Sequence, residues 1–303
     1  MKCGVVDVGS NTIRLSIYHW EGETLKLLLN KKEMAGLAGY IKDGVLSEGG
    51  ILVACRVLAG FRTLLDNFDI QDLYVFGTAP LRNIVNTEEA LRTIQTFTGL
   101  QVDVLTGAEE AALSFRGAAS GGGSPSGLLA DIGGGSTELV AYHEGRITSE
   151  YSLPVGSLSL YSNYVSTLFP TQAERRAMRD RVQEELGKAR TPGVQIKTLT
   201  GVGGSIRAAA KLCNYLSGGE PDNRVIPAPE IRSLYKSLKK GDKDTLRLIL
   251  RAAPDRVHTL LPGLVILNTV IKAYCVETVT VSTRGVREGY LLERVAARYR
   301  QSS

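Results

Sequence analysis

Two rhythms of apolar and polar positions run along this chain. Residues 2–8, 13–20 and 24–30 are short apolar runs broken by Gly, Ser and Asn, the pattern of β-strands. From Ser47 to Asn67 apolar residues recur every three to four positions, which predicts a helix capped by Ser47. Residues 72–77 predict a strand with the apolar centre Leu73, Tyr74, Val75 and Phe76. Thr87 opens a predicted helix to about Thr98, with Glu88 and Glu89 in its electropositive first turn. A short strand at 101–105 and a helix from Gly107 to about Ala119 follow. Strands come next at 127–131, 136–142 and 146–153, then helices at about 157–166 and 171–189. A strand at 197–200 leads into a helix from Ser205 to Asn214. Residues 228–275 are mostly helical, punctuated by Pro254 and Pro262, before a strand at 278–282 and a last helix at 284–299. Strands and helices alternating over short loops imply α/β layering.

The rhythm restarts after residues 120–126, Ser-Gly-Gly-Gly-Ser-Pro-Ser, the only linker-like stretch. Residues 6–15 read Val-Asp-Val-Gly-Ser-Asn-Thr-Ile-Arg-Leu, and residues 130–139 read Ala-Asp-Ile-Gly-Gly-Gly-Ser-Thr-Glu-Leu. Both run from an apolar strand through Asp-x-Gly and small polar residues into a second apolar strand. This suggests an internal duplication at a fixed offset, with two Gly-rich turns on opposite walls of one cleft. The expected domains are 1–120, joined by the C-terminal helix 284–303, and 126–283.

Composition narrows the function classes. With 303 residues, 43% hydrophobic and 22% charged, the chain has the make-up of a soluble two-domain protein. No apolar stretch reaches membrane-spanning length, and Asp7 interrupts the N-terminal apolar run, so neither a membrane nor a signal peptide is expected. Cys3, Cys55, Cys213 and Cys275 are far apart without CxxC spacing, which points to reduced thiols in a cytoplasmic protein. His19, His143 and His258 are too scattered for a histidine metal cluster. The net charge of +5 divides unevenly, −3 over residues 1–125 and +8 over 126–303, so the second half suits an anionic partner as readily as a solvated surface.

Candidate chemistry sits in the turns. A strand ending in Asp-x-Gly leaves backbone N–H groups to point at an anion, and glycine admits it without a Cβ in the way. Gly9, Ser10, Asn11 and Thr12 form one such turn. Gly133, Gly134, Gly135, Ser136 and Thr137 form the other, with the hydroxyls of Ser10, Thr12, Ser136 and Thr137 as further donors. Asp7 and Asp131, at the strand ends, are placed to hold a divalent cation through water. A third turn, Thr200-Gly-Val-Gly-Gly-Ser205, opens a helix, so Gly203, Gly204 and Ser205 offer an anion site with Arg207 one turn on. Arg82 and Asn86, four apart, are expected to share a helix face, where Arg82 could clamp a phosphate. Glu109 and Glu110 open the helix before the linker, and their ordinary role would be to complement its dipole. Lys188, Arg190 and the run 236–251 carry no motif; they read as solvated helix faces able to hold the tail of an anion.

Taken in order, seven segments resemble a known family: 7–15, 78–86 (Thr-Ala-Pro-Leu-Arg-Asn-Ile-Val-Asn), 106–111 (Thr-Gly-Ala-Glu-Glu-Ala), 131–138, 153–157 (Leu-Pro-Val-Gly-Ser), 201–207 and 285–289 (Gly-Val-Arg-Glu-Gly). The chain resembles the exopolyphosphatase/guanosine pentaphosphate phosphatase family of the actin-like ATPase superfamily, in its short form without the C-terminal HD-type domain. The resemblance implies an α/β fold of two ribonuclease-H-like domains around a central cleft. It implies hydrolysis of the terminal phosphate of linear polyphosphate, dependent on Mg²⁺ or another divalent cation, in the cytoplasm. It also implies Glu110 as catalytic base, Arg82 as the arginine that stabilises charge on the phosphate, Gly133 at the phosphate, and Asp131 and Glu138, with Asp7, at the metal. Ala79-Pro80 stands where the family often has Ser-Ala, which removes one backbone donor.

Three other readings stay open on the sequence. Guanosine pentaphosphate could be the substrate, a role tied to the stringent response, although no guanosine pocket is apparent. A kinase of the same superfamily would need an adenosine site. A non-catalytic polyphosphate- or pentaphosphate-binding protein would not need Glu110, Asp131 and Glu138 intact. Nucleic acid is not an expected partner, and a homodimer is compatible with the sequence.

Overall fold

The computed structural model describes residues 1–21, 24–189 and 196–296. Arg190 and the last residues of the expected C-terminal helix, 297–299, lie outside the described residues, as does the rest of the chain's end. The contacts divide the chain into two compact units. One is Met1–Glu110 with residues 294–296; the other is Ala111–Glu293.

The first unit is built on β1 (Lys2–Val8), β2 (Ile13–Glu21) and β3 (Thr24–Glu33), an antiparallel meander. A small hairpin of β4 (Ile41–Lys42) and β5 (Val45–Leu46) leads into α1 (Glu48–Asp66). The expected cap is present: the Ser47 hydroxyl accepts from Gly50 N–H at 3.4 Å. The apolar stripe of α1, with Ile51, Ala54, Leu58, Phe61 and Leu65, is buried with Val6, Val8, Leu15 and Ile17 of the sheet. Then come β6 (Leu73–Gly77), α2 (Ala79–Arg82), α3 (Thr87–Thr98), β7 (Asp103–Val104) and the start of α4 (Gly107–Ala119). The sheet order is β3-β2-β1-β6-β7, with β6 parallel to β1 and β7 parallel to β6.

The second unit repeats this plan. Strands β8 (Gly127–Ile132), β9 (Thr137–His143) and β10 (Arg146–Leu153) form the meander; α5 (Ser157–Tyr164) and α6 (Gln172–Lys188) follow. Strand β11 (Thr198–Val202) lies parallel to β8 and leads into α7 (Gly204–Ser217). The helical stretch resolves into a short edge strand, β12 (Val225–Pro227), and the helices α8 (Ala228–Leu238), α9 (Lys243–Ala252) and α10 (Leu260–Ala273). Helix α10 is buried almost all round, as its nearly continuous apolar sequence demands. Strand β13 (Thr278–Val281), helix α11 (Val286–Tyr290) and the first residues of a π-helical turn, Leu291–Val295, complete the unit. Its sheet order, β10-β9-β8-β11-β13-β12, reproduces the first sheet and adds β12 at the edge. Each unit is thus a mixed α/β layer structure of the ribonuclease-H type.

The division differs from the boundary expected at 120–126. It falls inside α4, after Glu110, because the rest of that helix packs on the second sheet. Ala111, Phe115 and Ala118 are buried in one cluster with Leu129, Val140, Tyr142 and Val202. The returning segment likewise joins the first unit at Arg294 rather than at 284. The four cysteines are free thiols. No helix among the described residues is long and apolar enough to cross a membrane.

Candidate active site

The two duplicated turns close in the same register. Val8 pairs with Ile13, and Ile132 with Thr137, so each hairpin closes over four residues, 9–12 and 133–136. Gly9 N–H donates to Thr12 O at 3.1 Å, and Gly133 N–H to Ser136 O at 3.0 Å. In both turns carbonyls are tied down from behind. Gly36 and Ala38 donate to Asn11 O and Ser10 O; Ser157, Leu158 and Ser159 donate to Gly133 O and Gly134 O. Among the described residues nothing accepts from the N–H groups of Ser10, Asn11 and Thr12, or from those of Gly134, Gly135 and Ser136. Successive unused N–H groups backed by engaged carbonyls form an anion-binding concavity.

The segment 153–157 holds the second turn in place. A Cβ on Gly156 would stand 2.4 Å from the Gly134 carbonyl, so only glycine lets the chain pass so close. Thr137, expected as a phosphate donor, instead spends its buried hydroxyl on Val155 O at 2.6 Å. It anchors the turn rather than lining it.

The third glycine turn leads from β11 into α7. Gly203 has φ +102°, and a Cβ there would meet Ile132 O at 2.4 Å. The first N–H groups of α7, from Gly204 to Ile206, have no carbonyl a turn before them, so the helix opens as an anion site. The Ser205 hydroxyl is not part of it. That side chain is 2% exposed, packs against Gly263 of α10 and has no hydrogen-bond partner among the described residues. Its contribution is its backbone N–H.

Three arginines converge here. Burial, reinforced by the like charges of Arg287 and Arg256, holds the Arg207 guanidinium down to about 10, still cationic at neutral pH. The Arg256 guanidinium lies over Gly204, where an added Cβ would collide with it. The same field reaches Asp131. Burial raises its carboxyl, while the Ser114 hydrogen bond and the charges of Arg207 and Arg287 pull the other way.

Asp131 and Glu138 stand directly opposite each other on adjacent antiparallel strands, which places both carboxylates on one face of the sheet. Ser114 donates to Asp131 Oδ2 at 2.6 Å and Ser152 to Glu138 Oε1 at 2.9 Å. Two hydroxyl-oriented carboxylates beside a phosphate receptor suit Mg²⁺, which takes one or two carboxylates and fills its shell with water and phosphate oxygens. No group of three or more carboxylate, histidine or cysteine side chains clusters among the described residues. Asp7 has Arg14 as its register partner, in the other unit.

On the first unit, the adjacent Glu109 and Glu110 do different work. Glu109 forms a capping box with Thr106: it accepts from Thr106 N–H at 2.8 Å, and the Thr106 hydroxyl accepts from Glu109 N–H at 3.2 Å. It also pairs with Arg294. The Thr106 N–H bond, with the Thr106 hydroxyl and Arg294, holds its carboxyl below the usual range. Glu110 is buried and paired with Arg82, whose Nη1 lies 2.6 Å from Oε2 and 3.0 Å from Leu105 O.

Arg82 and Asn86 do not share a helix face, because α2 ends at Arg82. Asn86 ties down Leu46 instead, exchanging hydrogen bonds with its N–H and C=O. Pro80 sits in the first turn of α2, where a helix has no use for its missing N–H.

Residues 16–297 match the model of the Ppx/GppA phosphatase family. The chain belongs to that family. It is 30% identical to an uncharacterized protein of Streptomyces coelicolor, over 97% of this chain and 90% of that one. Among solved structures, it is similar to an exopolyphosphatase from Cytophaga hutchinsonii (TM-score 0.85, 24% identity, 98% of each chain). It is also similar to the Ppx/GppA enzyme of Aquifex aeolicus (TM-score 0.77, 26% identity, 96% of this chain and 99% of that one). As a Ppx/GppA phosphatase the protein is a phosphoanhydride hydrolase, and two charged clusters of the kind such chemistry needs are already in view.

Sequence reasoning missed part of this Ppx/GppA site. Ser114 and Ser152, which orient the two carboxylates, stand in no motif. Arg256 sits after Pro254 in an unremarkable helical stretch. Arg287 and Glu288 carried a signal, since the segment 285–289 was among the resembling ones, but only the fold shows that it reaches Asp131.

Proposed function

We propose that this Ppx/GppA phosphatase removes the terminal phosphate of linear inorganic polyphosphate, with Mg²⁺ or another divalent cation, in the cytoplasm. The observation that carries the reading is the buried Glu110 carboxylate, oriented by Arg82, while its neighbour Glu109 is consumed in capping. In the proposed reaction Glu110 accepts a proton from a water molecule as that water's oxygen bonds to the terminal phosphorus. The bridging P–O bond breaks, and the electron pair leaves with the shortened chain. Arg82 positions the base and offsets charge on the transferring group. The amides of 134–136 and the start of α7 receive phosphate oxygens, with Arg207, Arg256 and Arg287 supplying positive charge.

Asp131 and Glu138 would hold the cation, Ser114 and Ser152 keeping them aimed. When bound, that ion supplies charge neutralisation at the phosphoanhydride. The +8 carried by residues 126–303 supports a long polyanion over a nucleoside pentaphosphate. The test is phosphate release in Mg²⁺ from long polyphosphate, short polyphosphate and guanosine pentaphosphate side by side. The long chain should turn over fastest; equal rates on all three would defeat the preference.

A further inference from the structure

The second unit holds a cavity of about 810 Å³ among α6, α8 and α10. It is lined by residues 265–273 of α10, whereas the phosphate turn uses the opposite end of that helix, at Gly263. Six cations line it, Arg175, Arg176, Arg179, Lys239, Lys240 and Lys272, and no carboxylate does. Arg179 is engaged by Asp180, and Arg175 donates to Pro170 O. Arg176, Lys239, Lys240 and Lys272 form no ion pair with any described residue. Four uncompensated cations in one concavity focus a positive field and call for an anion of several charges.

The floor of the cavity is of another kind. Leu186 and Val265 are nearly fully buried, and Tyr235 and Tyr274 add aromatic surface. Arg175 and Arg179 reach the Tyr235 hydroxyl electrostatically, so cations and ring belong to one space.

Asn268, 5% exposed, also lines the cavity. Its Nδ2 donates to Leu264 O at 2.9 Å, which fixes the amide orientation and leaves Oδ1 as an acceptor that no described residue uses. A bare polyphosphate carries only acceptors at neutral pH and has no apolar part. It would leave both the floor and this carbonyl unused. A ligand with an aromatic, N–H-bearing head and an anionic tail fits all three features, and the volume suits one such molecule.

We propose that this cavity binds a nucleoside di- or triphosphate, its base on Tyr235, Leu186 and Asn268 Oδ1 and its phosphates on the lysines and arginines. The site is separate from the one under the proposed function. Its test reads binding rather than turnover, so either can fail without the other.

The experiment is isothermal titration calorimetry of the Glu110→Gln full-length protein in Mg²⁺, with GTP, ATP and tripolyphosphate as titrants. The same titrations are run on that protein with Arg176→Ala, Lys239→Ala and Lys240→Ala added. One nucleotide should bind one-to-one, and the triple replacement should weaken it at least tenfold while leaving tripolyphosphate binding at the proposed active site unmoved. A second variant, Asn268→Leu, removes the Oδ1 acceptor offered to the base and should weaken the nucleotide, while thermal unfolding verifies the fold. Tripolyphosphate binding weakened by the triple replacement as much as nucleotide binding, or nucleotide binding untouched by it, would overturn the proposal.

Discussion

Turn 9–12 and turn 133–136 close on the same hydrogen bond and leave the same three amides unengaged, yet the carboxylates behind them differ. Asp7 pairs in register with Arg14; Asp131 pairs with Glu138. The backbone arrangement suited to an anion is therefore duplicated, while the opposed pair of carboxylates stands behind the second turn and not the first. A hairpin's hydrogen bonds specify its turn, and one cross-strand side chain decides what else can bind beside it. The first unit has its own speciality, the carboxylate Glu110 with Arg82.

The largest expected effect tests that division of labour at Glu110. Glu110→Gln should lower the rate of phosphate release by about 10²–10⁴-fold, the usual worth of a positioned proton acceptor, with the unfolding temperature preserved. Near-normal release would remove Glu110 from the reaction. The asymmetry between the turns is sharpened by a matched pair. Glu138→Gln should raise the Mg²⁺ concentration needed for half-maximal rate on the order of 100-fold, whereas Arg14→Gln should move it by no more than about threefold. Equal shifts in both would mean that the two turns are chemically alike.

A smaller change is expected from Ser114→Ala, which removes the hydroxyl aiming Asp131 and should raise the same Mg²⁺ requirement about tenfold. Smallest is Glu109→Gln, which should lower the unfolding temperature by about 2 °C at neutral pH without changing the rate. The Glu109 carboxyl lies below its unfolded range, chiefly through the Thr106 N–H bond. Its stabilisation is present above the ordinary carboxylate range and disappears as pH falls through the lowered value. The difference from the parent protein should shrink on acidification, and a gap that widened would contradict the capping role.

The sequence showed the architecture well because both meanders have uninterrupted apolar strands and the Asp-x-Gly repeat keeps a constant offset. It showed Arg82 and Glu110 only through resemblance. The geometry that separates Glu110 from Glu109 comes from contacts to Arg82 and Thr106, and local pattern does not contain the first of these. The division inside α4 was hidden for a related reason. A flexible Gly-Ser stretch marks where the chain is unconstrained, but unit membership follows the burial of Phe115 and Ala118, which depends on a sheet not yet formed in the reading. Thr137 and Ser205 misled for a simpler cause: a hydroxyl beside glycines satisfies the fold as readily as it meets a ligand, and here one is spent on Val155 and the other is packed against Gly263.

The six unengaged turn amides also give the protein an isotopic signature. Strand amides on either side are locked in ladders and trade hydrogen for deuterium only when the sheet opens, whereas those of 10–12 and 134–136 have nothing to break first. In ligand-free protein they should label within the earliest time points. Slowed labelling in one triplet but not the other, on adding polyphosphate, would reveal which of the two receptors a phosphate group has entered, without any chemical step taking place.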